Sequence, residues 1–268
     1  TKFIFMKKIF FLLTLLLAPL VYAQQLDTLE PAQEQKTDSL SLEYQAKKNI
    51  VKLSLTSLAF RNIHLQYERV LNKRISVSLS FSTIFEGEIP LLGSVENTID
   101  DAESFEQIKD ISLSYYSVTP EVRFYLGKKG FGKGFYLAPF YRNSKLTLDG
   151  VSFEYENDAG GTSIIKANGS ISGNTVGLLI GSQFNLGKSV VLDWWIVGPH
   201  YGSGSGSLNG RNSQPFSSDE RNALQEELND LDLPLVDETT EVSAQDIKVL
   251  FSGPWGGVRA GLSLGFRF

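Results

Sequence analysis

The chain of 268 residues has no cysteine. That excludes a disulfide, a thiolate nucleophile and a lipidated cysteine. Histidine is nearly absent too: His64 and His200 are the whole supply, and they fall on separate segments. Two such residues are too few for a metal cluster. Beyond Ala23 no apolar run approaches the roughly 20 residues that a membrane-crossing helix needs, which excludes a polytopic helical membrane protein. The formal net charge is -5 and no basic stripe exists to neutralise phosphates, so a nucleic-acid partner is not expected. The run Asp100-Asp101-Ala102-Glu103 lacks the ligand spacing of a calcium loop and reads as a solvated loop. Residues 202–206, Gly-Ser-Gly-Ser-Gly, lack the lysine and following helix of a phosphate loop and read as a flexible hinge. No cofactor or metal site is therefore expected.

What is present begins with Met6-Lys7-Lys8, a basic opening, followed by a continuous apolar run over residues 9–17. Val21-Tyr22-Ala23 places small side chains at the positions before a cut. These three parts make a secretory signal peptide, with cleavage expected between Ala23 and Gln24 and with residues 1–5 upstream of the true start. Residues 24–48 are rich in Gln, Glu, Ser and Thr without apolar period and read as a flexible periplasmic linker.

From Asn49 onward the chain alternates with period two. Ile75, Val77, Leu79 and Phe81 interleave with Ser76, Ser78, Ser80 and Ser82. In a membrane barrel the apolar set would meet lipid and the serines would line the interior. The same parity predicts eight strands, at residues 50–57, 63–70, 74–83, 111–126, 135 to about 148, 171–184, 190–198 and 258–268. The fourth changes parity near Tyr115-Tyr116, which predicts a bulge there. Gly177 and Gly181 are expected to face inward and make room for larger neighbours.

Connections alternate in length, with short ones at 72–73, 127–134 and 185–189 and long ones at 84–110, 149–170 and 199–246. Sorted loop lengths point to short periplasmic turns and long extracellular loops. The abundant aromatics, 18 Phe, 10 Tyr and 3 Trp, suit interface girdles. The expected fold is therefore all-β: an eight-stranded antiparallel up-and-down transmembrane barrel with both termini periplasmic and with one short loop helix. The helix is predicted from the capping box of Ser217 with Glu220 and from the spacing of Leu224, Leu228 and Leu231, ending before Pro234.

Eight strands leave an interior that side chains fill, so inward charges need partners. Glu68, Glu121, Arg123, Arg142, Asp193 and Arg259 are the expected interior network, closing the barrel to ions. A hydrolase would need a nucleophile with a base nearby. The residues that come nearest are His200 at the outer rim with Tyr201 and Ser203, and His64 inside the wall. The expectation is a non-enzymatic structural or interaction barrel. The alternatives are a small pore or a lipid-modifying enzyme.

The segments Asn49-Ile50-Val51-Lys52-Leu53, Phe60-Arg61-Asn62-Ile63-His64-Leu65-Gln66-Tyr67-Glu68-Arg69, Thr119-Pro120-Glu121-Val122-Arg123-Phe124-Tyr125-Leu126 and Gly134-Phe135-Tyr136-Leu137-Ala138-Pro139 resemble the DUF3575-like outer-membrane barrels of Bacteroidota. The resemblance spans most of the chain after the linker and implies an outer-membrane barrel with no catalytic residues to carry over. The last strand, with Phe266 and Phe268, also resembles the signal read by the barrel-assembly machinery, although Ser263 stands where a glycine is usual. Expected partners are thus outer-membrane lipid, that machinery during insertion, and outer-membrane or periplasmic proteins.

Overall fold

The computed structural model describes residues 47–90, 110–127, 130–158, 160–229 and 235–268. The signal peptide, its cleavage site, nearly all of the linker and the acidic run at Asp100 lie outside these residues. Among the described residues nine strands form one antiparallel sheet. In chain order the elements are β1 (Asn49–Ser54), α1 (Leu55–Leu58), β2 (Ile63–Val70), β3 (Ile75–Glu88), β4 (Ser112–Tyr125), β5 (Gly134–Glu156), β6 (Thr162–Leu186), β7 (Val190–Asn212), α2 (Ser218–Asn229), β8 (Asp237–Val242) and β9 (Asp246–Arg267). Each of the first six strands pairs with the next, β7 pairs with β9, and β1 pairs with β9 from Ile50↔Arg267 to Ser54↔Ser263. Eight strands therefore close a ring, and β8 is a ninth that lies along the upper part of β9. Asn49 and Phe268 exchange backbone hydrogen bonds of 3.0 and 2.9 Å, so the two ends of the barrel meet.

Side-chain parity sorts as the alternation requires. In β2 and β3, Leu65, Leu79 and Phe81 point out and are 46, 53 and 48% exposed, while Gln66, Glu68, Ser80 and Ser82 are buried inside. A closed sheet satisfies its own backbone, so its outer face can be wholly apolar. Exposed rings flank that apolar band: Phe124, Phe135, Phe184 and Phe266 near the short turns, and Tyr116, Tyr141 and Tyr201 towards the other end. Phe266 and Phe268 stack outward with ring centroids 6.4 Å apart.

Several boundaries differ from expectation. The first strand stops at Ser54, because Leu55–Leu58 turns into a short helix whose N-cap is Ser54, its hydroxyl accepting from the Ser57 amide at 3.2 Å. The parity of β4 is continuous, with no bulge at Tyr115-Tyr116. Ile111 and Leu113 instead point inward and pack on Leu148, so an apolar cluster fills that side of the interior. The irregularities lie elsewhere, between Ile84 and Gly87 in β3, between Trp195 and Gly198 in β7 and between Leu148 and Val151 in β5. The second turns Val197 outward, where an inward side chain was expected, and brings Gly198 and His200 inside.

The larger difference is height. β5, β6, β7 and β9 have 23, 25, 23 and 22 residues, whereas β1 and β2 have 6 and 8. Crossing a bilayer takes about 9–11 residues. The long strands exceed that by about a dozen, or roughly 40 Å of strand. The expected long loop at 149–170 is largely sheet, and that at 199–246 contributes sheet at both ends with a helix between. Residues 202–206 are paired strand, not a hinge: Gly202↔Trp255, Gly204↔Gly253 and Gly206↔Phe251 are in register. A side chain at Gly173 or Gly204 would strike the Trp255 ring. Gly177 and Gly181 face inward and leave room for Phe140 and Tyr136.

α2 starts one residue after the expected cap. The Glu220 amide donates to the Ser217 hydroxyl at 3.0 Å, and the Ser217 amide donates back to the Glu220 carboxylate at 2.7 Å. Both caps also reach the β5–β6 turn at Asp158. Leu228 is buried, and Gln225 bonds to Thr240 and Val242 of β8. Leu231 lies outside the described residues.

The turn end is closed by a tuck of chain. Gly130, Phe131 and Gly132 all have positive φ, at 60, 50 and 71°. Phe131 packs against Ile50, Val70 and Val191, and Arg267 donates to the carbonyls of Phe131 and Gly132 at 2.8 and 3.1 Å. A Cβ on Gly132 would lie 2.8 Å from Arg267 Nη2. Gly132→Ala is expected to cost about 1–2 kcal/mol from the left-handed backbone alone, with the clash adding to it. Urea unfolding followed by tryptophan fluorescence would show an earlier midpoint, and an unchanged midpoint would contradict this account of the floor.

Candidate functional site

Parity brings six ionised side chains from five strands to one level inside the ring. Lys52 of β1 donates to Glu68 at 2.5 Å, to Asp193 at 2.7 Å and to the Gln183 carbonyl at 2.5 Å. Arg123 of β4 donates through Nε to Glu121 at 2.6 Å and through Nη1 to Asp193 at 2.7 Å and Glu68 at 3.3 Å. Its Nη2 reaches the Gln66 carbonyl at 2.9 Å, and its plane lies 4.4 Å from the Tyr136 ring centroid. Arg259 of β9 donates to the second oxygen of Glu121 at 3.1 Å. Lys52, Arg123 and Arg259 thus face Glu68, Glu121 and Asp193, three charges of each sign. All six are buried. Hydroxyl and indole donors complete the carboxylates: Tyr125 and Ser76 on Glu68 at 2.7 and 2.6 Å, Tyr136 and Trp195 on Asp193 at 2.8 and 3.1 Å. A buried carboxylate is tolerable only when its lone pairs are filled in this way.

Five of the six residues expected in the network, Glu68, Glu121, Arg123, Asp193 and Arg259, are joined here. Arg142 is not: it sits higher, half-buried, and donates to Tyr115 and Ser117 hydroxyls at 2.6 and 3.3 Å. Lys52 is the member that sequence reasoning passed over, although its inward parity was legible. The same holds for Tyr125 and Tyr136, which join Ala138, Phe140, Leu179 and Trp195 in a buried cluster.

Above the network, Arg259 lies over both Phe140 and Trp195, 4.5 and 5.0 Å from their ring centroids. His64 meets Trp195 edge-on at 4.9 Å, and His200 meets Phe140 at 6.0 Å. His200 points inward, whereas Tyr201 and Ser203 point to the outside of the same strand. The rim arrangement of His200 with Ser203 that the alternative of a lipid-modifying enzyme would need is therefore not formed, because the two residues have opposite parity. Among the described residues no group of three His, Asp or Glu could hold a metal ion.

No protein-family model matches the chain, and no curated protein matches it. Two solved structures are similar in outline. Ail, the attachment invasion locus protein of Yersinia pestis, is 14% identical over 83% of this chain and 97% of its own, with a TM-score of 0.30. The outer membrane protease OmpT from Escherichia coli is 10% identical over 82% of this chain and 92% of its own, with a TM-score of 0.36.

Removing one member of the ion network leaves an uncompensated buried charge. Glu68→Gln is expected to lower unfolding stability by about 3–5 kcal/mol, while Ser203→Ala on the outer face changes it by less than about 0.5 kcal/mol. Equal midpoints for the two variants in urea would refute the network's structural role.

Proposed function

We propose that the chain is an integral outer-membrane β-barrel of structural or interaction type, non-conducting, with its tall sheet on the cell-surface side. The observation that carries this is the pairing of an apolar outer band with an interior sealed twice, by the neutral ion network and by the tuck at residues 130–132. A soluble barrel would leave Leu79, Phe81, Phe135 and Phe266 against water, an apolar surface far larger than single exposed residues account for. The sealed interior counts against a pore. The opposite faces of His200 and Ser203 favour the interaction reading over a rim hydrolase built on them.

The short-turn end, with the barrel's termini and the outward Phe266 and Phe268, is then periplasmic. Its linker, starting at Gln24 after cleavage, hangs there, and the final strand serves as the assembly signal. The resemblance to DUF3575-like barrels agrees with this placement. The tall sheet supplies the surface for protein partners. A groove of about 430 Å³ crosses its outer face, lined by Ser170, Ser205, Ser207, Asp237, Thr239 and Ser252.

Because the chain has no cysteine, a single introduced thiol reports orientation cleanly. Ser205→Cys should react with a membrane-impermeant maleimide in intact cells, and Lys73→Cys only after the membrane is breached. The reverse pattern would invert the topology, and labelling of both in intact cells would remove the membrane assignment. In planar bilayers the purified barrel should give no steady channels; a reproducible unit conductance would sink the non-conducting reading.

A further inference from the structure

The layer above the ion network holds buried polar atoms that the described residues leave unbonded. Arg259 Nη2, His64 Nε2, His200 Nδ1 and Thr175 Oγ1 are buried atoms with no hydrogen-bond partner among the described residues. Arg259 and His64 are only 4 and 5% exposed. These atoms come from β9, β2, β7 and β6. Arg142 of β5 joins them as the direct cross-strand neighbour of Thr175. Arg259 and His64 share the Trp195 ring, and Arg259 and His200 share the Phe140 ring, so these groups lie in one layer. Gly177 and Gly257 let the His200 ring lie against the wall, since a Cβ at either would come within 2.7 and 3.2 Å of its side chain. His200 and Arg142 are part-exposed, so the layer is reached from the tall-sheet end.

Charge decides what would fill it. The network below is balanced, three against three, so Arg259 contributes no surplus. Arg142 meets only hydroxyls. Among the described residues the layer therefore carries one net positive charge in a wall of low polarity. Water could occupy the unused donors but could not compensate the charge. Donors converging from five strands also suit an anion whose oxygens point in several directions, more than a planar carboxylate.

We infer that the upper barrel interior is a binding site for a phosphate group, held by Arg142 and Arg259 with His64, His200 and Thr175 around it. The phosphate has two possible sources, a small solute entering from the open end or a lipid headgroup reaching in from the outer leaflet. Arg142 and Arg259 supply charge-assisted hydrogen bonds, and the two imidazoles and the hydroxyl fix orientation.

The test uses the full chain in phosphate-free nanodiscs and isothermal titration with inorganic phosphate. In parallel, ³¹P NMR is recorded on nanodiscs doped with phosphatidic acid, whose headgroup is a phosphate monoester. Arg142→Gln is the informative variant, since it breaks no carboxylate contact; heat-modifiable migration on gels verifies that it folds. Wild type should bind, and the variant should bind about tenfold more weakly or less, the loss expected for one charge-assisted hydrogen bond. Saturable binding of inorganic phosphate identifies a solute site. A protein-dependent headgroup shift without binding of free phosphate identifies a lipid site. Absence of both, or equal binding by wild type and Arg142→Gln, overturns the inference.

Discussion

The ion network inside this barrel answers to one constraint: a fully buried charge enclosed by a closed sheet must find its counter-charge within the ring. Lys52, Arg123 and Arg259 meet Glu68, Glu121 and Asp193 at distances of 2.5–3.3 Å. Burying any one alone would cost several kcal/mol. Together they form a neutral crossbar tied to five of the eight wall strands. The polar lining is thus a cross-brace, and the apolar exterior is its complement, since a ring whose core is ionic can spend its hydrophobic residues on the outside.

Much of this was legible because the side-chain period of a strand is two. Serines alternating with Val, Leu and Phe in β3 fix both faces without ambiguity, and the same parity marks Glu68, Arg123 and Asp193 as inward. Legibility failed where the pattern is shared between strands. Gly204 and Gly206 look structureless alone because the volume of their missing side chains is filled by Trp255 and Phe251 across the sheet, while Gly202 lies tight against the backbone of Asn174 and Thr175. The two strands carry one alternation between them. The β7 irregularity was hidden for a related reason: Trp194, Trp195, Ile196 and Val197 are all apolar, so nothing marks where parity slips. Tyr125 and Tyr136 were missed because an aromatic residue in such a chain is first assigned to the girdle, whereas their hydroxyls are needed on carboxylates inside.

The uneven wall matters as much as the crossbar. β5, β6, β7 and β9 rise well above β1 and β2, and β8 with α2 braces the far edge of that rise. The reciprocal cap of Ser217 and Glu220 ties the helix to the β5–β6 turn, so the projecting part is fastened at both margins. Such a sheet offers two rigid faces of different character. The outer one is lined by Ser203, Ser205 and Ser207, and the inner one carries Phe251 and Trp255.

The pairing of β1 with β9 has a kinetic consequence. Lys52 lies 141 residues from Asp193, and Glu121 lies 138 from Arg259. Contacts so distant form late and slowly. Until the last strand docks, the growing sheet has two open edges, and Lys52 faces no Asp193. Ring closure and charge neutralisation are consequently a single event, which makes folding of the spanning part close to all-or-none: a half-built wall has neither a finished backbone nor a balanced interior to hold it.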